Sequence, residues 1–120
     1  MVAHAYDGLP MEACGLLVGI TDRCTQFVAT DNVANSSKVY TVDPKQHLRA
    51  EIAAEDRGES IVGVMHSHTH TDPYPSATDI AAAPDPTWHY VIVSLRDDAP
   101  MLRSYKIVDG TVTEEPVVVA

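Results

Sequence analysis

The stretch Ile61-Val-Gly-Val-Met-His66-Ser-His68-Thr-His-Thr-Asp-Pro-Tyr-Pro-Ser76-Ala-Thr-Asp79 decides how this chain folds. Ile61 to Met65 is an uninterrupted apolar run of strand length, the pattern of a strand covered on both faces of a sheet. Three of the six histidines follow at once. In extended backbone, residues two apart face the same side, so His66 and His68 can present their imidazoles to one point while Ser67 faces away. Two prolines and Tyr74 then turn the chain back, and Ser76 to Ala83 is a helix candidate ended by Pro84. The first turn of that helix can bring Asp79 against the strand end.

Outward from this stretch, His89 to Leu95 is a second apolar run, which predicts another central strand. Upstream, Ala13 to Ile20 is apolar, Thr21-Asp22 supplies turn chemistry and Cys24 to Thr30 follows, which predicts a hairpin. Its simplest register sets Cys14 opposite Ala29, not opposite Cys24, so no disulfide is expected. Asn32 to Ser37 is a polar loop and Lys38 to Val42 a short β-branched run. Asp43-Pro44 pairs an N-cap residue with proline at the first helical position. The helix they start carries Leu48, Ile52 and Ala53 at helical spacing and stops near Gly58, an amphipathic surface helix. Val2 to Tyr6 reads as the end of a helix. The tail reads as strand, Asp109-Gly110 turn, strand, with Pro116 marking a sheet edge.

At 120 residues and 45% hydrophobic, residues 1–120 are the size of one domain. Seventeen acidic residues against eight Lys and Arg give a formal charge of −9, the wrong sign for a nucleic acid or an anionic membrane surface. No segment approaches the roughly 20 apolar residues of a membrane span, and Met1 to Gly8 lacks the regions of a signal peptide. The expected location is cytoplasmic.

Imidazole and carboxylate together suit zinc, which in catalytic sites takes about three protein ligands and leaves one position open. His66 and His68 supply two, and Asp79 is the natural third. Ser76-Ala-Thr-Asp79 is also a capping box, a purely structural alternative. A loop has no structural need for two same-face imidazoles beside a carboxylate, which favours the metal. The proton acceptor such a site needs is sought elsewhere, and Glu12 is the candidate because it opens an otherwise apolar strand. A solvated strand end is the competing reading.

Glu12, then His66-x-His68, seven residues, Ser76, two residues and Asp79 resembles the signature of the JAMM (MPN-plus) zinc metalloproteases. Pro10-x-Glu12-Ala-Cys14-Gly15-Leu-Leu looks like the family's glutamate strand, and Asn32 through Tyr40 to Asp43-Pro44 resembles its connection. The resemblance implies an α/β (α+β) fold with a curved mixed sheet flanked by helices, the JAMM/MPN (cytidine-deaminase-like) architecture. It implies one Zn2+ on His66, His68 and Asp79, a proton shuttle at Glu12 and oxyanion stabilisation by Ser76. Met1 to Ala5, His89 to Ser94 and Leu102 to Val117 are similar to the branch that frees cysteine from a ubiquitin-like sulfur carrier protein. That resemblance implies hydrolysis of the peptide bond between the carrier's C-terminus and cysteine.

Two other functions share the pattern: a peptidase or isopeptidase trimming other ubiquitin-like tails, and a non-catalytic scaffold of the same fold, whose members usually lack the ligands. A His-x-His barrel hydrolase is disfavoured, since that barrel needs about 250 residues. Relatives usually carry a strand and a fuller first helix before the position of Met1, and a homodimer remains open. His70 and Cys14 are rival ligands by position. His70 should lie where the chain leaves the strand, and Cys14 in the core. Ser67 is read as support for the strand end, and no role is assigned to His4, His47 or His89.

Overall fold

The structure, a computed structural model, describes residues 1–119. Its elements in order are α1 (Val2–Gly8), β1 (Cys14–Ile20), β2 (Arg23–Thr30), α2 (Pro44–Asp56), β3 (Ser60–His68), α3 (Ala77–Ala82), β4 (His89–Ser94), β5 (Met101–Val108) and β6 (Thr111–Glu115). The six strands form one mixed sheet in the order β2-β1-β3-β4-β5-β6. Among the described strand pairs only β3–β4 is parallel, because those strands are joined by the α3 crossover; two-residue turns make β1–β2 and β5–β6 antiparallel hairpins, and β1–β3 and β4–β5 are antiparallel as well. The two apolar runs are therefore the two central strands, as their composition predicts.

Side-chain alternation along these strands divides the core in two. Leu16, Val64, Tyr90, Ile92, Tyr105 and Ile107 face α2 and α3, while Leu17, Val62, Met65, Val91 and Val93 pack with Ala5 of α1. His66 and His68 belong to the first face. The Asp109-Gly110 turn has φ of +49° and +78°, the left-handed pair that a two-residue hairpin needs.

Two expectations are corrected. The β1–β2 hairpin pairs Cys14 with Thr30, not Ala29, because a bulge between Val18 and Gly19 inserts one residue. A Cβ at Gly19 would run into the Arg23 carbonyl, so that close approach depends on glycine. Both thiols are free all the same. Lys38 to Val42 makes no strand, only an isolated bridge from Val42 to Asn32. The side chain of Asn32 takes its place, accepting from the Thr41 N–H at 2.9 Å and donating to the Val39 carbonyl at 3.0 Å.

The second correction concerns α2. Asp43 caps it as expected, accepting from Lys45 and Gln46 N–H at 2.8 and 3.3 Å, but the buried residues are Ala50 and Ala54. Leu48 and Ile52 are 57% and 52% exposed. Both pairs are four residues apart, so helical period alone does not choose between them. The alanine stripe lets the helix approach the sheet closely, and a leucine there would hold it off.

Candidate metal centre

β3 ends in His66 and His68, both facing the α2–α3 side and 2% and 4% exposed. Ser76 caps α3: its Oγ accepts from the Asp79 N–H at 3.0 Å, and the Ser76 N–H donates to Asp79 Oδ2 at 2.8 Å. The capping box is thus present, and it aims the carboxylate. Asp79 Oδ2 lies 3.0 Å from His66 Nε2 and 3.1 Å from His68 Nε2, and those two nitrogens are 3.1 Å apart. Three ligand atoms on a nearly equilateral triangle approach the spacing of donors around a tetrahedral zinc with bonds of about 2.0–2.1 Å.

The protonation pattern also suits a cation. His68 Nδ1 lies 2.7 Å from the Asp72 carbonyl, which can only accept, so Nδ1 carries the hydrogen. Neutral His68 then turns a lone pair toward the carboxylate, and a cation at the centre of the triangle reconciles the two. Without one, a proton takes that place. Burial opposes a charge on His68, but its bonds to Asp79 and Asp72 outweigh it and push the imidazole up. Burial holds His66 down. Burial also works against the Asp79 carboxylate, yet the bonds from His66 and His68 keep it well below the usual carboxylate range.

Glu12 joins the same face from the segment just before β1. Cys14 pairs with His66, and Ala13 exchanges bonds with Ser67, its carbonyl accepting from the Ser67 N–H at 2.9 Å. That register carried two residues on sets Glu12 opposite His68. Its backbone is pinned by N–H donation to the Ser36 carbonyl at 2.8 Å and by its own carbonyl accepting from Asn32 Nδ2 at 2.9 Å. Glu12 as a whole is 5% exposed, and its Oε1 has no hydrogen-bond partner. Burial pushes it up to about 7, moderated by His68 and reinforced by Asp79.

The remaining candidates separate. His70 is exposed beyond the end of β3. Cys14 is fully buried with its thiol against Thr30 Oγ1 at 3.4 Å, and is not one of the converging ligand atoms. Ser67 Oγ accepts from the Ala13 N–H at 2.8 Å, the strand support expected of it. His89, at the far end of β4, sits between Asp22 at 3.0 Å and Glu115 at 2.5 Å, a pairing across 67 and 26 residues that local spacing does not reveal.

Two residues near the centre were not singled out from sequence, Asn32 and Tyr40, although both lie in the segment that resembles the family's connection. Tyr40 stacks on His66 with centroids 4.3 Å apart. A groove of about 330 Å³ opens from Asp79 and is lined by Val39, Tyr40, Val42, His47 and Trp88.

A family described as prokaryotic homologs of the JAB domain matches residues 1–108. The CysO-cysteine peptidase of Mycobacterium tuberculosis is 48% identical over 120 residues, which cover 98% of this chain and 82% of that protein. The desampylase of Haloferax volcanii is 39% identical over 101 residues, 78% of this chain and 73% of that one. The solution structure of a protein from Desulfitobacterium hafniense superposes with a TM-score of 0.88 at 35% identity, covering 98% and 84% of the two chains. A JAB1/MPN domain protein from Archaeoglobus fulgidus, 21% identical with a TM-score of 0.63 over 98% and 90% of the chains, shares the fold. The expected JAMM/MPN resemblance thus stands on family, relatives and fold together, and this chain belongs to the prokaryotic JAB-domain family.

Proposed function

We propose that this chain is a zinc-dependent peptidase that hydrolyses the peptide bond between the C-terminus of a ubiquitin-like sulfur carrier protein and cysteine. The observation that carries the reading is the convergence of His66 Nε2, His68 Nε2 and Asp79 Oδ2 beside a buried, unpartnered Glu12. The likeness to a CysO-cysteine peptidase along nearly the whole chain supports the choice of substrate.

His66, His68 and Asp79 would hold one zinc ion, and His68 enters with its orientation already fixed by Asp72. Zinc supplies Lewis acidity, polarising a carbonyl and lowering the pKa of water to about 7. Glu12, whose burial raises its affinity for a proton, takes one from the attacking water and returns it to the leaving amine. Ser76 Oγ already accepts from the Asp79 N–H, so its own hydrogen is free to donate to the developing oxyanion. Losing a donor of that kind costs about 10²–10³ in kcat. The groove from Asp79 past Tyr40 to Trp88 accommodates the extended tail that precedes the scissile bond.

The test is incubation of the zinc-loaded protein with a carrier–cysteine adduct, followed by mass spectrometry for loss of cysteine, with chelated protein and Glu12→Gln as controls. Absence of cleavage by the loaded protein would sink the assignment. A panel of tails ending in other residues or isopeptide links separates cysteine release from broader trimming of ubiquitin-like proteins.

A further inference from the structure

His66 and His68 are held by different means. The Nδ1–H of His68 is anchored to the Asp72 carbonyl, whereas His66 Nδ1 is buried with no hydrogen-bond partner. A ligating imidazole can swivel about its Cβ–Cγ bond unless its ring plane is fixed, and the second ring nitrogen commonly does the fixing. At His66 that device is missing. The ring of Tyr40 lies on it instead, with centroids 4.3 Å apart and planes inclined by 16°.

We propose that Tyr40 is a positioning residue for His66, its stacked ring replacing the absent hydrogen bond, and that Asn32 ties Tyr40 to the backbone of Glu12. All four hydrogen-bonding positions of the Asn32 amide are engaged. Nδ2 donates to the carbonyls of Glu12 and Val39 at 2.9 and 3.0 Å, and Oδ1 accepts from the N–H groups of Ala34 and Thr41 at 3.1 and 2.9 Å. Val39 and Thr41 flank Tyr40, so one side chain fixes the stacking residue on both sides while gripping the carbonyl of the glutamate. A ligand on β3 and a carboxyl just before β1 are thereby held in one frame by a segment with no strand of its own. The inference rests on the zinc reading of the triangle.

The experiment measures zinc dissociation constants by chelator competition and cobalt(II) visible spectra for the folded parent and variants. Tyr40→Leu is expected to weaken zinc by about tenfold or more, the usual cost of losing an outer support of a ligand, and to shift the cobalt bands. Tyr40→Phe keeps the ring and restores the parent values. Leu48→Ala, exposed on α2 and outside this segment, leaves them unchanged. Asn32→Ala frees the segment without removing the ring and is expected to weaken zinc too, which covers the case in which Tyr40→Leu does not fold. Tyr40→Leu binding as tightly as the parent, or Tyr40→Phe binding as weakly as Tyr40→Leu, would overturn the proposal alone. A parent that takes up no zinc would overturn the reading of the site and this inference with it.

Discussion

Ser67 Oγ accepts a hydrogen bond from the buried Ala13 N–H at 2.8 Å, while the Ser67 N–H donates to the Ala13 carbonyl at 2.9 Å. A residue that faces away from the two imidazoles thus locks β3, with His66 and His68, to the chain immediately after Glu12. Ser67→Ala leaves the Ala13 donor buried and unpaired, a loss of about 1–3 kcal/mol that urea denaturation would measure. Activity should fall as well, because the register of Glu12 on His68 depends on this clamp.

Glu12→Gln should remove at least about 10²-fold of kcat while stabilising the metal-free protein. The folded carboxyl titrates near 7 and the unfolded one near 4.5. Below the lower value both states are protonated and ionisation of Glu12 contributes nothing to the balance. Between them the unfolded chain has released a proton that the folded chain retains, so parent stability falls with rising pH; above 7 the full loss is present. The glutamine variant should show a flat profile over that window, with a gain of about 1 kcal/mol at the alkaline end. Denaturation curves of both proteins across the window would check the sign.

Zinc affinity should decline as pH falls, because the ion must displace the proton that Asp79 and Asp72 favour on His68. Competition titrations between roughly pH 5 and 8 should give a slope of about one proton per ion at the acidic end. Asp79→Asn should weaken the dependence, since the amide holds that proton less firmly. A slope unchanged by the substitution would remove Asp79 from the centre.

Exhaustive chelation should abolish cleavage, and zinc should restore it. Because the folded chain alone assembles the triangle, zinc at about a hundred times its Kd should raise stability by about 2.7 kcal/mol. Thermal melts with and without the ion would show this as a higher midpoint.

On α2, Leu48→Lys should change stability by no more than about 0.5 kcal/mol, since the side chain stands in solvent. Ala54→Leu, which enlarges the fully buried face of the same helix, should cost about 1–3 kcal/mol. Opposite results would return the large apolar stripe to the core.

Strand alternation was enough to put His66 and His68 on one face, because period-two geometry is local and needs no partner. The same holds for Asp43-Pro44 as a helix start, for the Asp109-Gly110 turn, and for the central places of β3 and β4, whose unbroken apolar runs leave no face for water. Tertiary structure decided what local period leaves degenerate. It set the one-residue bulge that moved Cys14 from Ala29 to Thr30. It chose alanine over leucine as the inner stripe of α2. It drew Asp79 through its own capping box to within 3.1 Å of both imidazoles. Register, helix facing and the meeting of residues far apart in the chain all depend on which surfaces pack, and packing energy belongs to the assembled sheet.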